Sequence, residues 1–294
     1  MILYGYGEYA KNNIPEEYYD DIEIIIDNGI PDENVDGKPV IRWDEFEKKI
    51  NEFKNHKIVI GSINYKEEIK KQLMESKYFN VYDIVELDLY LVKRGMEKAG
   101  TIKKELLKDA KVLSNREAAL ELIPKGGVAA EVGVAYGDFS RKIIDSINPE
   151  KFYAIDMFVV DSFWGGESFK ESHYSFYAEK FYKEIESGIV EMKRGFSWDE
   201  LKKLPSDSID YLYLDAGHDY WSVKKDIMEV ERVVKHNGII QFNDYTFHDY
   251  FYNVYYGVIP NVNEYVNKTN SEVLYYCLSE HGFDDIVIKN KKCK

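Results

Sequence analysis

The sequence predicts an α/β protein with two parallel sheets in tandem, a small one followed by a larger one. Three observations predict it. Short apolar runs alternate with segments of helical period along most of the 294-residue chain. Two of those runs end in glycine turns that lead into helices, "LYGYGEYAKN" at residues 3–12 and "EVGVAYGDFS" at residues 131–140. A charged stretch of helical character, residues 93–123, separates the two series.

The elements follow in order. "MILYGYG" is a short strand ending in glycine, "EYAKNNI" a helix, and "DIEIIIDNG" a second strand that stops at Asp27. "GKPVIRW", the helix "DEFEKKINEFK", the strand "KIVIGS", the helix "YKEEIKKQLMES" and "NVYDIVEL" continue the alternation to the end of a first domain, residues 1–92. Residues 93–123 read as a largely helical linker. The second domain, 124–294, starts with "GGVAAEVGV" and goes on through "KFYAIDMF", "GIVEMKRG", "IDYLYLDAG", "GIIQFNDY" and "DDIVIKN", with helices between.

Composition narrows the function. Hydrophobic residues make up 45% and aromatics 15%, enough to fill two cores. Against 53 acidic residues stand 39 basic ones, and the net charge of −14 repels phosphate backbones and anionic lipid, so neither nucleic acid nor a membrane is the expected partner. The two cysteines, Cys277 and Cys293, form no metal-type or disulfide framework. With no signal-type segment and no run of about 20 apolar residues, a cytoplasmic protein is expected.

The two glycine turns differ in chemistry. The first is Gly5-x-Gly7-x-x-Ala10, and Asp27 ends the next strand 20 residues beyond Gly7. In a dinucleotide site such glycines let backbone N–H groups approach a pyrophosphate, and the acid takes the ribose hydroxyls. A ligand-free start to a small domain fits the same residues. The second is Glu131-x-Gly133-x-x-x-Gly137. A carboxylate just before its first glycine repels a pyrophosphate but suits a ligand with an amino group and a sulfonium, as in S-adenosylmethionine. Asp156, at the end of "KFYAID", is placed to hold ribose hydroxyls.

At this point residues 126–294 resemble a class I S-adenosylmethionine-dependent methyltransferase. "AEVGVAYGDFS" is similar to the cofactor loop, "FYAIDMF" to the second strand, "DSIDYLYLDAGHDYWSVKKDI" to the fourth strand and its helix, and "NGIIQFNDYTF" to the fifth. "LDAGHDY", "VKKDI" and "NDY" resemble the macrocin-type sugar O-methyltransferase branch. The first domain, through "LYGYGEYA", "IIIDNG" and "GKPVI", is similar to nucleotide-sugar-binding modules of bacterial sugar-modifying enzymes. The resemblance implies a Rossmann-like class I sheet preceded by a smaller Rossmann-like α/β domain.

It also implies roles. The fourth and fifth strands would be neighbours, gathering Asp215, Asn243 and Asp244 into a hard oxygen site suited to Mg²⁺, although relatives with two acids at the last two positions differ from this chain. His218, three residues past Asp215, is the candidate base, against a structural histidine under the turn. His248 is a weaker candidate. Asp215 is read as catalytic, with a cofactor contact or a helix cap as alternatives. Ser197 and Trp198 in "RGFSWDELKKLP" fall where relatives surround adenine, and Ser197 equally reads as an N-cap. Trp164, Gly165 and Gly166 suggest a cover over the site, while the aromatics after residue 172 suit a core face.

The leading function is an S-adenosylmethionine-dependent O-methyltransferase acting on a hydroxyl of a sugar or sugar-containing metabolite, the first domain binding a nucleotide part, docking the acceptor or holding a second subunit in a homo-oligomer. Two alternatives stand beside it. One is an NAD-dependent oxidoreductase using the first turn, and the other is an inactive nucleotide-sugar-binding scaffold.

Overall fold

A computed structural model of the chain describes residues 1–53, 55–76, 83–158 and 173–292. The chain divides into two compact units, residues 1–94 and 95–294. The cover segment around Trp164, Gly165 and Gly166 lies outside the described residues. Among the described residues, no helix is long and apolar enough to cross a membrane.

The first unit holds strands β1 (Ile2–Tyr4), β2 (Ile24–Ile26), β3 (Asn34–Val35), β4 (Lys38–Ile41), β5 (Ile58–Ile60) and β6 (Ile84–Glu86). Its helices are α1 (Glu8–Asn13), α2 (Glu16–Tyr19), α3 (Trp43–Lys49) and α4 (Lys66–Glu75), and α5 (Leu87–Ala99) contains the boundary. The sheet order is β3-β4-β2-β1-β5-β6, parallel except for the β3–β4 hairpin. The apolar triplets "ILY", "III" and "IVI" lie in register and are buried on both faces, as a parallel sheet between helices requires. Gly61 closes the site of the first turn: a Cβ there would sit 2.2 Å from the Gly5 carbonyl oxygen, so only glycine lets these two strand ends meet.

In the second unit the strands are β7 (Lys111–Leu113), β8 (Val128–Val132), β9 (Lys151–Asp156), β10 (Val190–Arg194), β11 (Ile209–Leu214), β12 (Val234–Phe242), β13 (His248–Asp249), β14 (Val254–Tyr255), β15 (Glu272–Cys277) and β16 (Asp285–Lys289). The helices are α6 (Arg116–Leu120), α7 (Asp138–Ile147), α8 (His173–Lys180), α9 (Tyr182–Glu186), α10 (Ser197–Lys202), α11 (Tyr220–Val233) and α12 (Val258–Thr269). Eight strands form one sheet in the order β10-β9-β8-β11-β12-β16-β15-β7, and β13–β14 make a separate hairpin. From β10 to β12 all pairs are parallel, and β16 runs antiparallel between β12 and β15. This is a Rossmann-like α/β sheet.

Period-2 alternation explains the two cores. Ala130, Val132, Leu212, Leu214, Ile240 and Phe242 face one helical layer, while Ala129, Tyr211, Tyr213 and Ile239 face the other. Helix α7 buries Phe139, Ile143 and Ile147 on the second face, each contributing about 1.5–3 kcal/mol. The strand order reverses between β8 and β11, which leaves a crevice at their carboxyl ends.

Residues 93–123 differ from the helical expectation. They hold the end of α5, a 3₁₀ turn at Lys104–Leu107, strand β7 and helix α6, and β7 pairs in parallel with β15 at the sheet edge. Three residues, "KVL", are too few to display a strand period against a charged background, and pairing with β15 rather than local pattern makes them extended. Strand β15 and the β13–β14 hairpin also emerge only in the structure.

Candidate active site

The carboxyl ends of β8, β9, β11 and β12 bring together most of the residues singled out in the second domain. Gly133 follows β8 with φ of 91°, and a Cβ there would lie 1.7 Å from the Asp215 carbonyl oxygen. The backbone bonds Gly133 N–H to Ile155 O (2.8 Å) and Asp215 N–H to Val132 O (2.8 Å) lock the three strand ends together. Gly137, at φ of 72°, opens α7 under the rings of Tyr177 and Phe181.

Glu131 is buried, 2% exposed, and accepts a hydrogen bond from the Ser140 hydroxyl one turn into α7. Burial drives its carboxyl well above the ordinary carboxylate range, with Asp215 and Asp156 adding to the rise. Tyr177 of α8 lies fully buried nearby, its hydroxyl unpartnered and its ring stacked on Phe181 at 4.4 Å.

Asp156 ends β9 and clamps the loop. Its two carboxylate oxygens accept from Ala135 N–H (3.0 Å) and Phe158 N–H (2.6 Å). The first unit repeats this device: Asp27 accepts from Tyr6 N–H and Gly29 N–H, both at 2.8 Å. In each unit the acid ties its glycine turn to the end of the next strand. A carboxylate has about four acceptor positions, so two remain on each for a ligand hydroxyl. Gly5 has φ of 87°, and Gly7 stands at the N-cap of the six-residue α1 without a side-chain cap.

Across the crevice, His218 Nε2 lies 3.7 Å from both Asp215 Oδ1 and Asp244 Oδ2. Its Nε2 is buried without a hydrogen-bond partner, and the ring, partly exposed, stacks on Tyr256 at 4.7 Å. Burial lowers the imidazole pKa below its ordinary value, opposed chiefly by the nearby Asp244 charge, so the ring is neutral at pH 7. Burial, then repulsion from Asp244, pushes Asp215 up to about 7, and burial also raises Asp244. Arg116 offsets Asp215 from 3.9 Å, while its guanidinium donates to the Tyr213 hydroxyl at 2.7 Å and lies over the Phe139 ring. Leu214, Ala216, Gly217, Val223, Phe242 and Asn243 line a small pocket beside His218.

Asn243 is held by a buried polar chain. Tyr211 O–H donates to Gln241 Oε1 (2.9 Å), and Gln241 Nε2 and Asn243 Nδ2 donate to the two oxygens of Asp285 at 2.7 and 3.1 Å. That leaves Asn243 Oδ1 as the acceptor on this amide. Two carboxylates and an amide oxygen are hard donors, and the raised pKa values of both acids mark a place where a cation would relieve repulsion. Among the described residues, no group of three or more His, Cys, Asp or Glu is placed to hold a metal ion. Asp215, Asp244 and the Asn243 oxygen would therefore hold Mg²⁺ only with water or acceptor oxygens completing its shell.

Several alternatives are settled by geometry. Asp219, not Asp215, caps α11, accepting from Trp221 N–H and Ser222 N–H. Ser197 is the first residue of α10, one past the cap position held by Phe196, and makes no capping bond. Trp198 stacks on Phe196 at 5.0 Å and carries the Lys225 ammonium over its ring. His248 sits in the β13–β14 hairpin, paired with Asn253 at 3.2 Å. The sequence pattern missed Arg116, Tyr256 and Asp285, which reach the site from distant segments, and Gln241, which lies two residues before Asn243 in an apolar run.

Residues 130–245, from β8 to just past β12, match a family model described as a methyltransferase domain. That stretch of the second unit is therefore similar to a methyltransferase domain. No curated protein matches the chain significantly. Among solved structures, a candidate sarcosine dimethylglycine methyltransferase from Galdieria sulphuraria aligns over 43% of each chain at 16% identity, with a TM-score of 0.34. That alignment spans less than half the length of the Galdieria sulphuraria protein. A precorrin-6y C5,15-methyltransferase from Geobacter metallireducens aligns over 60% of this chain and 86% of its own at 14% identity, with a TM-score of 0.41. An rRNA methylase from Streptococcus thermophilus aligns over 59% and 92% at 10% identity, with a TM-score of 0.43.

Proposed function

We propose that the methyltransferase domain transfers a methyl group from S-adenosylmethionine to a hydroxyl of a sugar or sugar-containing metabolite. The observation that carries this reading is the neutral, unpartnered His218 Nε2 between Asp215 and Asp244 at the strand switch point. Bound over the Gly133–Gly137 turn, the cofactor supplies an electrophilic methyl whose positive sulfur suits the acids around it.

The chain's own task is then alignment and proton removal. Asp156 presents its free acceptor positions to the ribose, and Ser197 and Trp198 border the adenine. His218 accepts the acceptor hydroxyl's proton at Nε2 as its oxygen attacks, and Asp215 and Asp244 stabilise the imidazolium so formed. Asp215, Asp244 and the Asn243 oxygen would hold Mg²⁺ where it is bound, and such an ion would supply a Lewis acid that makes the acceptor hydroxyl more acidic. We assign the first unit a nucleotide- or sugar-binding role through Gly5, Gly7 and Asp27.

The test is label transfer. Purified protein, methyl-tritiated S-adenosylmethionine and a panel of methyl glycosides should give a labelled methyl ether, with and without Mg²⁺, and His218→Asn should reduce the rate by about 100-fold or more. Label on nitrogen or carbon, or an unimpaired His218→Asn, contradicts the reading.

A further inference from the structure

A ladder of rings runs from His218 to the surface. His218 stacks on Tyr256, Tyr256 lies 6.4 Å from Phe283, and Phe283 stacks on Phe251 at 5.9 Å and meets Tyr250 at 5.5 Å. At its outer end Phe251 is 63% and Tyr250 56% exposed. Single exposed rings need no explanation, but contiguous ones beside a reactive site are the mark of a ligand platform.

The platform is built and held rigidly. Phe251 and Tyr250 sit on the turn of the β13–β14 hairpin, where Asp249 accepts from Phe251 N–H (2.8 Å), Tyr252 N–H (3.1 Å) and the Tyr256 hydroxyl (2.7 Å). Phe283 comes from the turn before β16, which is tied to the hairpin's root by Tyr245 N–H donating to Asp284 O (2.6 Å). These bonds hold the backbone that carries the rings, so a ligand stacking on them has little backbone left to order.

Charge selects among ligands. Residues 245–256 hold seven aromatics and no lysine or arginine, and residues 278–285 hold Glu280, Asp284 and Asp285, again without lysine or arginine. The ring faces and the exposed Glu280 attract a cation, His281, 6.0 Å from the Phe251 ring, is held 3.3 Å from that acid, and the excess of acids over bases repels a phosphate. A nucleotide or an RNA strand would meet its own charge here.

We propose that Tyr250, Phe251 and Phe283 are the acceptor-binding platform, and that the acceptor carries a ring with an apolar face and a protonated amine. This deepens the proposed function and rests on it, since the ladder's inner end is the proposed base.

Saturation-transfer NMR on the full chain with S-adenosylhomocysteine present tests it, with D-glucosamine, methyl α-D-glucopyranoside and D-glucose 6-phosphate as probes at millimolar concentration. Glucosamine should receive saturation at least about fivefold more strongly than the neutral glycoside, and the phosphate none. Phe251→Ala, at an exposed position where folding is not at stake, should remove most of the glucosamine signal, and added salt should weaken it. Equal signals from the phosphate or the neutral glycoside, an unchanged Phe251→Ala, or no glucosamine signal overturns the proposal. Calorimetry with S-adenosylhomocysteine, run alongside, separates the failures: intact binding with any of those results sinks the platform alone, and absent binding sinks the methyltransferase reading beneath it.

Discussion

At the scale of single residues, the second unit concentrates buried acids whose charge is costly. Asp226 on α11 is the plainest: it is fully buried, neither oxygen has a hydrogen-bond partner, and burial pushes it up to about 7. Ser197 and Lys225 oppose the rise, Asp219 adds to it, and the proposed chemistry does not use the group. A carboxyl raised in the folded state binds its proton more tightly there than in the unfolded chain. Its destabilising effect is therefore absent below about pH 4, grows between the ordinary aspartate value and about 7, and is complete above. Asp226→Asn should raise stability by about 1–3 kcal/mol at pH 8 and by almost nothing at pH 4, read by denaturant titration at both. Equal effects at the two values would mean the side chain is paired in solution.

His218 has the opposite linkage to pH. Its lowered pKa keeps it deprotonated at neutral pH, so methyl transfer should be highest well above pH 7, fall first as Asp215 takes up a proton near 7, and fall further as pH drops through a value below the ordinary 6.5. A rate unchanged down to pH 5 would remove it as the base. We assign Asp285 a positioning role, since it commits the Asn243 amide nitrogen and leaves the oxygen as that amide's acceptor. Asp285→Asn should weaken Mn²⁺ binding, followed by electron paramagnetic resonance, by about tenfold while S-adenosylhomocysteine affinity stays unchanged. Unaltered Mn²⁺ affinity contradicts that role.

At the scale of elements, the sequence displays what is local and hides what is long-range. Strands β8, β9, β11 and β12 each contain an apolar run long enough to show itself, and a polar residue at or next to the end of each run falls near the carboxyl edge, which is why Glu131, Asp156, Asp215 and Asn243 are legible together. Strand β7 and the β13–β14 hairpin have two or three residues each and are extended only because of their partners. Arg116 illustrates the limit: a charged residue in a polar stretch, it gains meaning only when α6 places its guanidinium beside Tyr213 and Asp215. Gly133 belongs to this scale too. With a Cβ set 1.7 Å from the Asp215 carbonyl, Gly133→Ala must part the ends of β8 and β11, and should cost several kcal/mol in stability together with cofactor binding. A thermal midpoint within a degree of the parent would contradict that packing.

At the scale of the molecule, two units with separate cores share one motif in which an acid ties down a glycine turn, at Asp27 and at Asp156. Only the second turn is preceded by a buried acid and faced by the Asp215–His218–Asp244 group, so the account places the methyl donor there. Ligand binding stabilises what it binds, by about 2.7 kcal/mol at 100 times Kd. S-adenosylhomocysteine should thus raise the melting transition of the larger unit. The most direct measurement is calorimetric titration of the whole protein with S-adenosylhomocysteine and with NAD, repeated on Asp156→Ala and Asp27→Ala. The account predicts S-adenosylhomocysteine binding that is lost with Asp156→Ala and kept with Asp27→Ala. Binding of NAD alone, lost with Asp27→Ala, would contradict it and make the first turn the active one.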